Sequence, residues 1–421
     1  MYQVSNPAVL LRGRRRTATG ETARLPVKRT VFLLGLTSLF TDISAEMVVT
    51  VLPLYLVYIG NFSPLAFGVI DGLYNGATAI ATLASGYVGD RFKKHKEVAA
   101  TGYGLSAICK LLLVAAGTAM SAIGAIVLLD RAGKGIRTAP RDAMISLATP
   151  RASLGTAFGV HRAMDTVGAM LGPLVAFGLL AIAPLAFDSV FLVSFCFALI
   201  GVGILVLLVQ PERDRDAEGA EPPPPATLRG AFGLVKVPRF RAVLVAGALL
   251  SLATASDAFV FLALEDAIDL GTTLFPLLFV GNAAAFMVLA VPMGRLADRI
   301  GRGRVLLLGY GALLAVYAVL LGPLGGWPLV VATLFLLGTY YAATDGVLMA
   351  LGSPVIPDEI RGSGLALLRT TTSLARLVAS IAFGAVWMLW GISAALAVFA
   401  AALVAAVLVS AFLFVRAPEP A

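Results

Sequence analysis

Residues 159–173 read Gly159-Val-His161-Arg162-Ala-Met-Asp165-Thr-Val-Gly168-Ala-Met-Leu-Gly172-Pro173 and lie inside a long apolar run. At helical spacing, His161, Asp165, Gly168 and Gly172 share one stripe, and Arg162 stands three residues before Asp165. Ionisable groups at bilayer depth normally face a protein interior or a wet cavity, and small residues let a neighbouring helix approach. The stretch predicts a functional site on a membrane helix. The alternative is a structural Arg–Asp pair that joins two helices.

The composition of the whole chain is that of a polytopic membrane protein. Of its 421 residues, 59% are hydrophobic and 13% are charged, whereas about a quarter of the residues in a soluble domain are charged. The first 28 residues are polar and basic, so no cleavable signal peptide is expected. The two cysteines, Cys109 and Cys196, fall in apolar runs, so neither a disulfide framework nor a metal site is expected.

Twelve apolar segments are long enough to cross a bilayer, which takes about 20 residues each. They are expected at residues 30–59, 64–88, 98–117, 119–139, 154–181, 189–210, 240–264, 272–294, 303–322, 328–350, 363–389 and 392–415. The pattern predicts an all-α membrane protein with two six-helix halves. The expected parts are a basic tail (1–29), the N-terminal half (30–210), a linker rich in charge and proline (211–239), the C-terminal half (240–415) and a short tail (416–421).

Basic residues mark one side of the membrane. The N-terminal tail and the loops after even-numbered spans hold Lys and Arg. The loops after odd-numbered spans hold none and carry acidic residues instead, at Asp188, Glu265, Asp266 and Asp269. Because Lys and Arg concentrate on the cytoplasmic side, both termini and the linker are predicted to be cytoplasmic. The net charge of +8 thus reflects the Lys and Arg residues that set the orientation in the membrane, and no nucleic-acid partner is expected.

Two landmarks recur in the two halves at nearly the same offset. Gly86-Tyr-Val-Gly-Asp90-Arg91 after span two returns as Gly294-Arg-Leu-Ala-Asp298-Arg299 after span eight. The sequence from Gly155 to Arg162 returns from Gly362 to Arg369. The repetition indicates an internal duplication, and parallel halves predict a cavity that opens alternately to either side. The repeated aspartates at cytoplasmic helix ends predict a latch between helices; simple positive-inside anchoring is the alternative.

The chain resembles the major facilitator superfamily over essentially its whole length after the N-terminal tail. Residues 294–302 resemble the superfamily's loop signature, although Lys93 in the first copy stands where the second has Gly301. Span five resembles the antiporter signature at Gly159, Gly168, Gly172 and Pro173. Asp130-Arg131-Ala-Gly-Lys134-Gly135 resembles the fourth-span arginine motif. Lys134 replaces the usual Gln there, so proton transfer through that motif carries over only for Arg131.

Four carboxylates fall near the membrane midplane by their depth in the spans: Asp42, Glu46, Asp130 and Asp165. Asp42 and Glu46 are one helical turn apart, so they cannot both ionise cheaply, and one is expected to exchange a proton near neutral pH. A polar patch that bends the helix is the alternative. With Arg131 and Arg162 as charge partners and His161 neutral, the sequence predicts excess negative charge, even with Lys110 counted. That excess predicts proton coupling.

The C-terminal half offers a sparser set of cavity candidates. It comprises Asp257, Tyr340, Tyr341, Asp345, Arg369 and Arg376. Asp71 and Lys110 receive no role. The sequence has neither a phosphate-binding glycine loop nor a His/Cys metal pattern, so no ATP drive, cofactor, metal or enzymatic activity is expected.

The residues and the resemblance together imply a proton-coupled secondary transporter of the inner membrane. It is expected to act as a monomer and to export small molecules by antiport. A nutrient or metabolite symporter and a transport-inactive membrane sensor are the alternatives. The expected partners are a small-molecule substrate, protons and the lipid bilayer.

Overall fold

The computed structural model describes residues 28–74, 76, 95–149, 154–210, 233–345, 347–357 and 360–416, and all regular structure in these ranges is helical. The helices are α1 (Arg29–Leu54), α2 (Pro64–Tyr74), α3 (His95–Ala116), α4 (Met120–Leu147), α5 (Leu154–Ile182), α6 (Phe187–Gly203), α7a (Pro238–Leu252), α7b (Asp257–Ile268), α8 (Gly271–Ile300), α9 (Arg302–Leu321), α10a (Gly326–Thr344), α10b (Val347–Gly352), α11 (Arg361–Trp390) and α12 (Ile392–Arg416). Helices α1 and α6 each continue into a π-helical turn, at Tyr55–Ile59 and Ile204–Leu208.

The helices confirm the predicted membrane fold. Within the described ranges, ten helical segments are long and apolar enough to cross a bilayer, and α2 is a shorter apolar helix. Helix α4 has 28 residues but is rich in charge. These twelve elements correspond one to one with the twelve predicted spans.

Three spans differ from their predicted form. The fourth was expected to end at residue 139, but α4 continues through Pro140 to Leu147. Hydropathy falls where charged residues begin, yet the helix goes on because much of its charged face is buried and paired. Spans seven and ten are each broken into two helices, between Leu252 and Asp257 and at Asp345.

The break in span seven is held by specific hydrogen bonds. The Tyr317 hydroxyl of α9 accepts a hydrogen bond from the Ala255 backbone N–H at 2.8 Å and donates to the Ala253 carbonyl at 3.3 Å. Ser256 caps α7b by accepting from the Phe259 N–H at 3.5 Å. A single tyrosine thus satisfies backbone groups that the interrupted helix cannot.

The described residues divide into two compact units. The first comprises residues 28–55, 95–149, 154–210 and 272–277, and the second comprises residues 56–74, 76, 233–271, 278–345, 347–357 and 360–416. In the first unit, α1 packs closely against α5 through glycines. A methyl group on Gly168 would lie 2.5 Å from the Leu39 carbonyl oxygen, and one on Gly172 would lie 2.7 Å from that of Ile43. The close approach predicted for the glycine stripe is therefore present.

Helices α3 and α4 approach each other in the same way. A methyl group on Gly102 would lie 2.7 Å from the Gly133 carbonyl oxygen, and one on Gly133 would lie 2.8 Å from that of Gly102. This reciprocal contact fixes the register in which the side chains of α3 meet those of α4. In the second unit, α2 packs on α11, and the Ser380 hydroxyl donates to Asp71 Oδ2 at 2.6 Å.

Candidate functional site

A charged stripe runs along α4. Asp130, Lys134, Arg137 and Arg141 follow one another at i, i+4, i+7 and i+11, so they share one helix face. This is the spacing that identified the stripe on α5. Lys134 and Arg137 lie inside the predicted fourth span and Arg141 lies just beyond it, but none of the three was predicted to be a site residue. Applying the same spacing rule to α4 identifies all three.

Asp130 lies between two buried cations. Lys110 of α3 donates to Oδ1, and Arg131 donates to Oδ2 from Nη2 and, at 3.1 Å, from Nε. The expected pairing of Asp130 with Arg131 is present. Lys110 was left without a role and is a direct partner, because the α3–α4 glycine contact brings it to Asp130. Both oxygens of this carboxylate are occupied by cationic donors.

Asp42 of α1 is buried between α4 and α5. Its Oδ1 lies 3.8 Å from Arg137 Nη2, and the Arg137 guanidinium also sits 4.6 Å above the centre of the Tyr103 ring. A methyl group on Gly168 would lie 3.2 Å from Asp42 Cβ. One turn later, half-buried Glu46 lies on Gly172, where a methyl group would be 2.7 Å from Glu46 Cβ. Both carboxylates of α1 therefore face the glycine stripe of α5.

Asp165 of α5 is 2% exposed and is surrounded by basic groups. Its Oδ2 lies 3.6 Å from His161 Nδ1, 3.7 Å from Arg162 Nη1 and 4.0 Å from Arg141 Nη1. The predicted neighbourhood of Arg162 and Asp165 is present, and Arg141 is an addition. Among the described residues, Asp165 Oδ1 has no hydrogen-bond partner. The carboxylate is held by long contacts on one oxygen only.

His161 links this carboxylate to a hydroxyl group on α1. Its Nε2 lies 2.9 Å from Ser38 Oγ, while Nδ1 faces Asp165. Ser38 Oγ is also 3.3 Å from the Tyr103 hydroxyl and accepts from Arg141 Nη1 at 3.4 Å. The network joins α1, α3, α4 and α5.

The numbers of cations and carboxylates in this unit differ from those counted from the sequence. Along the membrane segments of α1, α3, α4 and α5, the described residues include six cations and five carboxylates: Lys110, Arg131, Lys134, Arg137, Arg141 and Arg162, with Asp42, Glu46, Asp130, Asp142 and Asp165. The expected negative excess is therefore wrong. It arose because Lys134 and Arg137, which lie inside the predicted fourth span, were not counted, whereas Arg141 and Asp142 beyond that span cancel each other.

The second unit groups its candidates around the helix breaks. The Tyr341 hydroxyl of α10a donates to Asp257, the first residue of α7b. Tyr340 is fully buried, with its ring 4.9 Å from that of Tyr341. Arg376 of α11 interacts electrostatically with Asp345, which ends α10a. Arg369, two turns earlier on α11, is exposed.

The proposed cytoplasmic latch is described only in its second copy. Gly86, Asp90 and Arg91 lie outside the described residues. Gly294, Asp298 and Arg299 lie in the last two turns of α8, where Asp298 and Arg299 are exposed, so the latch stays a prediction. Within the described ranges, no group of three or more His, Cys, Asp or Glu side chains could hold a metal ion.

Comparison with known proteins places the chain in a family. The family model of the Major Facilitator Superfamily matches residues 34–279 and 252–421. An uncharacterized MFS-type transporter of Methanocaldococcus jannaschii is 30% identical over 374 residues, which cover 86% of this chain and 89% of that protein. An uncharacterized protein of Mycobacterium tuberculosis is 34% identical over 154 residues, 37% of each chain.

Solved structures share the fold. A mutant of the nucleoside transporter NupG matches with a TM-score of 0.78 at 15% identity, over 92% of this chain and 100% of that chain. A POT family transporter in complex with a thioalcohol-conjugated peptide matches with a TM-score of 0.75 at 12% identity, over 93% and 96% of the chains. With the family model and the archaeal relative, these likenesses identify the chain as a multi-pass transporter that belongs to the major facilitator superfamily.

Proposed function

We propose that this transporter is proton-coupled and that Asp42 and Asp165 are its coupling carboxylates. The proposal rests on the environment that these two carboxylates share. Both are buried, they lie on facing helices on either side of the Gly168 contact, and they repel each other electrostatically. The contacts recorded between them and basic groups are 3.6–4.0 Å long. Carboxylates held so loosely can exchange an arginine contact for a proton.

Asp165 has the geometry that this exchange needs. One oxygen faces the basic groups, and the buried Oδ1 can take the proton because no described group donates to it. Protonation would weaken the attraction of Asp165 for Arg141 and Arg162 and remove its repulsion of Asp42. The α1–α4–α5 contacts then have two alternative charge arrangements, as an alternating-access cycle requires.

Asp130 is proposed as a structural carboxylate instead. Lys110 and Arg131 engage both of its oxygens, and breaking such a buried arrangement is strongly destabilising. A proton on Asp130 would have to displace a cationic donor. Arg131 accordingly serves to hold α4 rather than to carry substrate charge.

The substrate is proposed to contact the second unit at its helix breaks. Interrupted membrane helices expose backbone groups and mark the binding sites of secondary transporters. Asp257, Tyr341, Asp345 and Arg376 gather at the breaks of spans seven and ten. Their mixed charge and hydroxyl groups suit a polar small molecule, and nucleosides and peptides, named for the structural neighbours, are the first compounds to test.

Export by proton antiport is the proposed direction, supported by the resemblance of α5 to the antiporter signature and by its tight glycine packing on α1. Symport is the second candidate. The observation that favours it is the excess of cations over carboxylates in the first unit, because an anionic substrate could travel together with a proton.

The test is substrate-evoked proton flux in proteoliposomes that contain the pH dye pyranine. Nucleosides, dipeptides, monocarboxylates and cationic dyes are added outside, one class at a time. Antiport moves protons out as substrate enters, so the lumen becomes alkaline; symport makes it acidic. The sign does not depend on the orientation of the protein.

Asp42→Asn is expected to abolish the pH change, and Asp188→Asn is the matched control because Asp188 is exposed at the start of α6. A pH change of wild-type size in Asp42→Asn would place the coupling site elsewhere. Substrate uptake with no pH change in the wild type would contradict proton coupling itself.

A further inference from the structure

Asp71 of α2, to which the sequence analysis gave no role, joins three helices of the second unit. Its Oδ2 accepts a hydrogen bond from the Ser380 hydroxyl of α11 at 2.6 Å. Its carboxylate also accepts from the hydroxyl of Ser256, which precedes α7b. The Ser256 oxygen accepts from the Phe259 N–H, so its hydroxyl hydrogen remains for Asp71. One carboxylate therefore links α2 to both α7b and α11.

Backbone contacts hold α2 and α11 together around this link. A methyl group on Gly68 would lie 2.4 Å from the Ser380 carbonyl oxygen, and one on Gly384 would lie 2.3 Å from that of Pro64. Small residues let the backbones of membrane helices come this close. The close approach places Asp71 within reach of the Ser380 hydroxyl.

An aromatic layer covers the link on one side. It consists of Phe67 of α2, Phe259 of α7b, and Phe383 and Trp387 of α11. The centre of the Phe259 ring lies 4.9 Å from that of Phe67, 4.6 Å from that of Phe383 and 5.8 Å from that of Trp387. The three phenylalanines are at most 3% exposed.

The layer lies on the predicted outer side of the link. Phe67 stands four residues before Asp71 on α2, which begins beside the loop predicted to be outside. Phe259 and Phe383 stand three residues after Ser256 and Ser380, on helices that are predicted to run outward. Each phenylalanine is thus about one helical turn from the polar residue of its own helix. The aromatic layer therefore lies between Asp71 and the outer surface.

The strength of the link depends on the charge of Asp71. Hydroxyl groups donate to an ionised carboxylate at about 2.5–2.7 Å, and such bonds are about twice as strong as those between neutral groups. The 2.6 Å bond from Ser380 has this length. A proton on Asp71 removes the charge, and the oxygen that carries it becomes a donor, although both serine hydroxyls already donate. Protonation therefore weakens the link.

The surroundings of Asp71 allow it to change its charge. Asp71 is half-buried, and Asp257, directly after Ser256, repels it electrostatically. Two neighbouring carboxylates cannot both be ionised at low cost. Arg376 stands one turn before Ser380 on α11 and interacts with Asp345. Tyr74 is the other titratable side chain in the described part of α2.

We propose that Asp71 is a positioning residue that controls the outer side of the second unit: when ionised it holds α2, α7b and α11 together beneath the aromatic layer, and a proton on it releases them so that the layer separates. The proton comes from solution and returns to it when the link forms again. The proposal does not rest on Asp42 or Asp165 as coupling carboxylates, and either proposal can hold without the other.

Trp387 reports on the aromatic layer directly. The chain has three tryptophans, and Trp327 and Trp390, which are 64% and 68% exposed, are replaced by Phe so that Trp387 alone emits. The purified full chain in lipid nanodiscs is titrated from mildly alkaline to mildly acidic pH. Quenching by acrylamide, a neutral molecule, is measured at each pH. We expect quenching to rise several-fold as the pH falls, because acrylamide reaches the ring once the layer separates.

Variants of the link separate its ionisation from a merely structural role. Asp71→Asn cannot ionise, so its quenching should be the same at every pH, whereas Asp71→Glu keeps a carboxylate and should keep the pH response. Ser380→Ala removes a donor to the ionised form and should move the transition to higher pH. Ser410→Ala is the matched control, at a buried serine of α12, and should respond as the wild type does.

Three results would overturn the proposal. The first is quenching in the wild type that does not change with pH, and the second is a wild-type response in Asp71→Asn, which would show that another group opens the layer. Where Asp71→Asn does not fold, Ser380→Ala decides in its place, and a transition at the wild-type pH is the contrary result. The third is loss of the response in Asp42→Asn, which should keep it because Asp42 takes no part in the link.

Discussion

Gly168 of α5 lies directly against Asp42 of α1. A methyl group on Gly168 would be 3.2 Å from Asp42 Cβ and 2.5 Å from the Leu39 carbonyl oxygen. Backbone atoms cannot yield as a flexible side chain can, so any side chain here must push the two helices apart. The glycine thus sets the distance between the two carboxylates proposed to couple transport to protons.

Gly168→Ala should therefore destabilise the protein by about 1–3 kcal/mol, the usual effect of overpacking a well-packed contact. Gly178→Ala, on the same helix, is the matched control because a methyl group there meets no atom within 4 Å. It should leave stability unchanged or raise it by up to about 1 kcal/mol through helix propensity. Thermal unfolding in detergent measures both, and equal midpoints for the two variants would contradict the close contact.

Tyr317→Phe tests the break in span seven. The hydroxyl group accepts from the Ala255 N–H and donates to the Ala253 carbonyl. Its loss leaves two buried backbone groups without that partner, which costs about 1–3 kcal/mol for each unsatisfied group. We expect a lower unfolding midpoint and faster hydrogen exchange at Ala255. Unchanged exchange there would show that the break is held by other contacts.

The sequence predicts the fold well because span length, basic loops and internal repetition are properties of the chain alone. The close approach of a neighbouring helix to Gly168 and Gly172 was also predicted, since small residues let helices pack closely in membranes, but the identity of that helix, α1, comes from the structure. The contact between Lys110 and Asp130 could not be predicted from the sequence in the same way. Periodicity shows that Lys110 faces some neighbour, but only the α3–α4 register shows which one.

Hydropathy also misleads where charge is buried. It ended span four before Arg141, although the helix continues to Leu147. The predicted sign of the local charge was wrong for a separate reason, because Lys134 and Arg137 inside that span were not counted. The breaks at Asp257 and Asp345 stand inside apolar runs, where average hydropathy hides them. The polar residues Asp257 and Asp345 within these apolar runs are the feature of the sequence that could have predicted the breaks.

Cysteine labelling tests the predicted orientation. Single cysteines at Ser63 and Gly325, both exposed between helices, should react with an impermeant maleimide in intact cells. A cysteine at exposed Lys236 should react only after permeabilisation, because the linker is predicted to be cytoplasmic. The native Cys109 and Cys196 are replaced beforehand. Labelling of Lys236→Cys in intact cells would reverse the orientation.

The last prediction separates stability from coupling at the pair formed by Asp42 and Arg137. Both side chains are buried and 3.8 Å apart, and removing one partner of a buried ion pair typically costs about 3–5 kcal/mol. Asp42→Asn and Arg137→Gln should each lower the unfolding midpoint. The double variant should recover much of the loss, because neither charge is then stranded.

Proton coupling should behave differently from stability. Both Asp42→Asn and the double variant lack the proposed proton site, so each should lose the substrate-evoked pH change while keeping exchange of a substrate identified by that assay. Asp165→Asn should lose both activities, because it removes the charge of the buried carboxylate that His161, Arg141 and Arg162 contact within 4.0 Å. If the double variant regains the pH change together with its stability, Asp42 is only a partner of Arg137, and Asp165 carries the coupling alone.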